Sequence, residues 1–120
     1  MNARADGDDF FDPQETPGNP LYVVFGSVKD DRGKYLANAV VTVEVAEPVL
    51  VYDTRTNLLG RFRTVDVGRA ITDLGYKVDP TRIEVSVSIP GYVPMRRLNR
   101  YSPRRQHGAL EIDFVMRKEN

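Results

Sequence analysis

The chain has no cysteine, no tryptophan and a single histidine, His107. It also has no apolar run approaching the roughly 20 residues that a membrane helix needs. Without cysteine there is no disulfide, no thiolate nucleophile and no thiolate zinc site. A Ser-His-Asp or Cys-His arrangement needs its base beside a nucleophile. His107 instead sits in an arginine-rich stretch, residues 95–107, that holds no acid at all. Seventeen basic and seventeen acidic residues cancel, so the whole molecule lacks a strong steering field. The opening residues MNARADGDD carry no apolar segment of the signal-peptide kind.

What is present is a chain of 120 residues, the size of one domain. Such a domain buries about two-thirds of its unfolded surface, enough for a core without covalent staples. The charge balance is only global. Residues 1–20 hold five acids against Arg4, with three prolines, and Phe10 and Phe11 as their only large apolar side chains. They read as an extended acidic arm, and residues 21–120 read as the domain proper.

Within the domain the apolar residues alternate at the period of strands. In GSVKDDRGKYLANAVVTVEV, Val28 ends one run, Asp30-Asp31-Arg32-Gly33 supplies a turn, and Ala39, Val41, Val43 and Val45 share a face. This reads as an antiparallel hairpin with a long loop and Leu36 tucked beneath the sheet. Pro48 interrupts the second strand, and Val49 to Tyr52 resumes after a bulge or a switch of sheet. Ile83, Val85, Val87 and Ile89 form the cleanest inward face, and Leu110, Ile112, Phe114 and Met116 the last one. Residues 68–82 are the least legible, with room for about one helical turn at Ala70, Ile71 and Leu74. The first strand is apolar on both faces, with Leu21, Val23 and Phe25 out of phase with Tyr22, Val24 and Val28. That second face is covered by the arm, by a loop or by another chain.

Gly26, Val28, Asp30, Gly33, Leu36, Ala39, Val41 and Val43 fall at spacings that resemble the carboxypeptidase regulatory-like domain family. Thr56 to Phe62 resembles that family's turn-and-strand, and IEVSVSIPGYVP, residues 83–94, its strand followed by Pro-Gly-Tyr. Tyr35 and Asn38 depart from the pattern, both in the loop. The resemblance implies a single antiparallel Greek-key β-sandwich of about seven strands, transthyretin-like, working as an exported accessory module in the periplasm, at the cell surface or outside the cell. Intradiol dioxygenases and hydroxyisourate hydrolases share related folds but need several histidines, which this chain does not supply.

The chemistry that remains is recognition. Arg96, Arg97, Arg100, Arg104 and Arg105, with Tyr101 among them, can grip carboxylates or phosphates in bidentate fashion. The neutral balance and the lack of a recognition motif speak against nucleic acid. The acid clusters lack the spacing of a calcium loop. The sequence reading is therefore a non-enzymatic binding or structural module, without cofactor or metal. Its expected partner is a protein in a larger envelope or extracellular complex. The expected contacts are Leu21, Val23, Phe25, Phe10, Phe11 and the arginine loop. The alternative is a carbohydrate-binding module that takes a glycan on Tyr52, Tyr92 or Tyr101.

Overall fold

The apolar alternations become strands in the computed structural model, which describes residues 21–98 and 108–119. The strands are β1 (Val23–Asp30), β2 (Val40–Val45), β3 (Leu50–Arg55), β4 (Arg61–Arg63), β5 (Ile83–Ser88), β6 (Met95–Leu98) and β7 (Ala109–Met116). One short helix, α1 (Val67–Asp73), and a 3-10 turn at Pro80–Arg82 lie between β4 and β5. The strands form an all-β sandwich, with order β4-β1-β7 in one sheet and β3-β2-β5-β6 in the other.

The inward faces are those the alternation marks. Val41, Val43, Ile83, Val85 and Val87 from one sheet meet Val24, Val28, Phe62, Ile112, Phe114 and Met116 from the other. Phe62 and Phe114 pack with ring centroids 6.4 Å apart and tilted planes, a favourable aromatic geometry. Leu36 is buried in the same core.

Three features differ from the sequence reading. The first is the expected hairpin. β1 and β2 lie in different sheets, so the segment between them crosses from one layer to the other. A short return does form, with Lys29 bridging Tyr35 and the Leu36 N–H donating to the Val28 carbonyl at 2.9 Å. The chain then turns through Asn38, whose φ of 67° is the left-handed conformation that Asn tolerates. Alternating apolar residues on both sides of a polar loop describe a crossover as well as a hairpin, so local pattern alone did not separate them. The second is the sandwich's expected antiparallel character. β1 pairs with β7 in parallel, from Val23 opposite Ala109 to Asp30 opposite Met116, while every other strand pair is antiparallel. At Pro48 the chain neither bulges nor changes sheet. It reverses, and β3 pairs back along β2 from Val45 opposite Leu50.

Buried polar side chains complete bonds that the ladders leave open. Thr56 Oγ1 accepts from the Ala39 N–H at 2.9 Å and donates to the Leu36 carbonyl at 2.7 Å, pinning the crossover to the end of β3. Thr64 Oγ1 accepts from the Val24 N–H at 3.0 Å just past β4. Asp66 caps α1 by accepting from the Arg69 N–H, and it also accepts from the N–H groups of Leu21 and Tyr22. One carboxylate thus ties the start of β1 to the start of the helix.

Gly26 permits the parallel pair. A Cβ at that position would lie 1.8 Å from the Ile112 carbonyl oxygen, far inside contact distance. Gly26→Ala is expected to cost at least about 4 kcal/mol, in the exceptional range for one substitution, read as the shift in a urea unfolding midpoint. An unshifted midpoint would show that β1 and β7 do not meet in this register. Thr56→Val is expected to cost about 1–3 kcal/mol by stranding the buried Ala39 N–H. Thr72→Val, at an exposed hydroxyl, serves as the control and should stay within about 0.5 kcal/mol.

Candidate functional site

Strand direction divides the molecule into two ends. The helix end carries α1, the β2–β3 turn, the last residues of β6 and the first of β7. The turn end carries the Asp30 loop, the β3–β4 turn, the Pro90-Gly91 turn and the residues after β7. The described concavities with polar, charged walls are at the turn end.

The Asp30 loop is internally braced. The Asp30 carboxylate accepts from the N–H groups of Arg32 and Lys34, both at 2.9 Å, while its own N–H donates to the Lys34 carbonyl at 2.8 Å. The Pro90-Gly91 turn is strapped to the chain that follows β7. Val93 N–H donates to the Arg117 carbonyl at 2.8 Å, Glu119 N–H donates to the Gly91 carbonyl at 3.0 Å, and Tyr92 bridges Lys118. Because Asp30 and Met116 are the last paired residues of β1 and β7, these two braced segments leave the sheet side by side. Between them lies a cleft of about 460 Å³ lined by Asp30, Asp31, Arg32, Lys34, Tyr92, Arg117 and Lys118. A second concavity of about 490 Å³ shares Tyr92 and is walled by Asn38, Arg55, Ile89, Pro94 and Glu119, among others.

The cleft offers guanidinium and ammonium donors beside a phenol ring. It contains no nucleophile paired with a base, so its direct capacity is to hold and orient an anion. The Asp30 carboxyl is held below the ordinary carboxylate range, first by the Lys34 N–H bond. Desolvation opposes that effect, and the Arg32 N–H bond and the charges of Lys34 and Arg32 reinforce it.

The residues singled out from sequence are scattered relative to this cleft. Arg96 lies on β6, an edge strand, exposed and 3.9 Å from Glu84. The Arg97 backbone pairs opposite Val85 on the same strand. Val23 is only 4% exposed, Phe25 is half-buried and Leu21 is exposed, so the three do not make one open apolar face. Phe10, Phe11, Arg100, Tyr101, Arg104, Arg105 and His107 lie outside the described residues, as does the arm of residues 1–20. Sequence reading missed the grouping of Lys34 and Arg32 with Arg117 and Lys118. Its one signal was basic residues directly after two strand ends, and only the parallel pairing brings those ends together.

No family model matches the chain, and no curated protein matches it. Among solved structures it is similar to chlorocatechol 1,2-dioxygenase from Pseudomonas putida, with a TM-score of 0.57 and 18% identity over 87% of this chain and 63% of that one. It is similar to 3-chlorocatechol 1,2-dioxygenase from Rhodococcus opacus 1CP, with a TM-score of 0.54 and 16% identity over 88% and 62%. A third is the dioxygenase domain of a dioxygenase carbohydrate-binding protein fusion from Streptomyces sp. SirexAA-E, with a TM-score of 0.55 and 19% identity over 88% and 84%. The chain thus spans a little over three-fifths of the length of the first two.

These findings correct the sequence reading. The resemblance to carboxypeptidase regulatory-like domains is replaced by likeness to catechol-type dioxygenases. The non-enzymatic reading, whether structural subunit, binding module or carbohydrate-binding module, rested on that resemblance and falls with it. In the Streptomyces fusion, the matching part is the dioxygenase domain. At these identities the likeness establishes the fold, and activity is a matter for proposal.

Dioxygen chemistry in proteins commonly draws on a metal held by imidazole and carboxylate donors. Among the described residues no group of three or more His, Cys, Asp or Glu converges, and the sequence has one histidine. The described residues do not fit such a centre.

The braced Asp30 carboxylate predicts a pH signature. Its folded pKa lies below its unfolded one, so its stabilisation is complete above the ordinary carboxylate range. It is lost as pH falls through the folded value. Asp79 is lowered too, first by the Thr81 hydroxyl and then by the Thr81 N–H, so the informative comparison is wild type against Asp30→Asn. Wild type should unfold at higher urea near about pH 7, and the gap should narrow as pH falls below the ordinary carboxylate range. A gap constant across that range would mean the carboxylate charge contributes nothing.

Proposed function

We propose that this chain is the β-sandwich domain of an oxidoreductase of the ring-cleaving dioxygenase kind, acting with dioxygen on small aromatic diols. The observation that carries the reading is the likeness of the sandwich to chlorocatechol 1,2-dioxygenases over 87% and 88% of the chain. A second solved type, hydroxyquinol 1,2-dioxygenase from Pseudomonas putida DLL-E4, supports the same substrate class at a TM-score of 0.53 and 16% identity over 88% of this chain and 58% of that one. The reading concerns a domain. The described residues hold no oxygen-activating group of their own, and no reaction step is assigned to them.

On this reading the domain's contribution is a rigid frame and a cationic cleft at the turn end, suited to attract a phenolate or a carboxylate. The test is oxygen consumption by the purified full chain, after incubation with ferrous or ferric iron and removal of excess metal. Catechol, a chlorocatechol and hydroxyquinol are supplied in turn, and retained iron is measured in parallel. Diol-dependent oxygen uptake is expected, with any retained iron held by groups outside the described residues. A folded protein that retains no iron and consumes no oxygen with any of the three removes the proposal.

A further inference from the structure

Four cationic side chains meet at the turn end from stretches of chain far apart in sequence. Arg32 and Lys34 come from the Asp30 loop, and Arg117 and Lys118 follow β7. None of the four joins an ion pair among the described residues. The ion pairs formed there involve Arg69 with Asp66, Arg82 with Glu47 and Asp79, and Arg96 with Glu84. Two acids share the cleft, but they do not neutralise it. The Asp30 carboxylate, braced by two backbone N–H groups of its own loop, stays charged, and with Asp31 it sets two negative charges against four positive ones.

The fold does not require this grouping. The straps that hold the segments, Val93 to Arg117 and Glu119 to Gly91, run through backbone atoms and would form with any side chains. The same straps fix the backbone that carries the charges, so a ligand would find its donors already placed and lose less freedom on binding. Tyr92, half-buried and bridged to Lys118, gives the cleft an aromatic wall. The volume of about 460 Å³ falls within the range of small-molecule sites.

We propose that this cleft binds a compact dianion, a small dicarboxylate or a phosphate-bearing molecule, between Arg117 and Lys118 on one side and Arg32 and Lys34 on the other, against the Tyr92 ring. The site needs neither oxygen nor metal, so it stands or falls apart from the dioxygenase reading.

The full chain is titrated by calorimetry with phthalate and, separately, with inorganic phosphate at about 20 mM salt, where charge attraction is weakly screened. Saturable one-site binding of at least one probe is expected. Saturation by phthalate alone would assign a dicarboxylate, saturation by phosphate alone a phosphate group, and saturation by both a site for dianions in general. Arg117→Ser with Lys118→Ser should weaken binding at least about tenfold. Arg69→Ser with Lys77→Ser removes the same charge elsewhere and should leave binding unchanged. All these residues are exposed, and an unchanged thermal midpoint confirms the fold of each variant. Failure of both probes to saturate, or equal losses in the two double variants, would overturn the proposal.

Discussion

The parallel pairing of the first and last strands is the constraint on which the rest depends. β1 lies between β4 and β7, and its bonds to β7 join residues from opposite ends of the described chain. The pair holds only because position 26 has no side chain, since the Ile112 carbonyl oxygen occupies the space a Cβ would take. Once the register is set, Val24 and Val28 face the core beside Ile112 and Phe114. A slip of one residue would turn all of them outward, so hydrophobic burial and the glycine enforce the same alignment.

The same register accounts for the candidate site. Asp30 opposite Met116 ends the ladder, and the chain on both sides continues into basic residues, Arg32 and Lys34 on one and Arg117 and Lys118 on the other. The cleft is the gap between two segments released by one strand pair. The outer face of that sheet shows how the edges are protected. Phe25 sits in register between Arg63 on β4 and Glu111 on β7, and Ser27 between Arg61 and Asp113. The Ser27 N–H and hydroxyl both donate to the Asp113 carboxylate. Charged side chains on an edge strand make it a poorer template for pairing with another chain.

What could be read from sequence was the inward face of each strand, because alternation is a local property. Ala39, Val41, Val43 and Val45 are all buried, as are Ile83, Val85 and Val87 and the inward residues of β7. Leu36 was placed correctly: it is buried in the core. The layer each strand joins is not local. The segment from Asp31 to Asn38 looks the same whether it closes a hairpin or crosses the sandwich, and in the fold β4 and β7 flank β1 on both sides and leave no edge of it for β2. The cleft was hidden for the same reason. Arg117 and Lys118 lie about 80 residues from Arg32 and Lys34 in sequence, and only β7 laid beside β1 brings them together.

The function reading failed where a fold-level likeness was made to carry chemistry. Eight shared spacings from Gly26 to Val43, with the stretches Thr56 to Phe62 and 83–94, resembled one sandwich family, while the backbone is similar to another, because small β-sandwiches reuse the same turn residues for the same geometric reasons. The side chains separate the questions that the fold leaves joined. Imidazole and thiolate, the usual donors to a redox metal, are nearly absent from the chain, while guanidinium and ammonium groups are gathered at one end. Holding four exposed cations near one another costs little in water, since a pair of unit charges 4 Å apart interacts by only about 1 kcal/mol, and salt screens it further. With Asp30 and Asp31 in the same cleft the net excess is smaller still, so the fold can keep the grouping without a bound ion. The chemistry proposed for this chain's described residues is anion recognition at the turn end. Any oxygen chemistry would have to draw on groups beyond them.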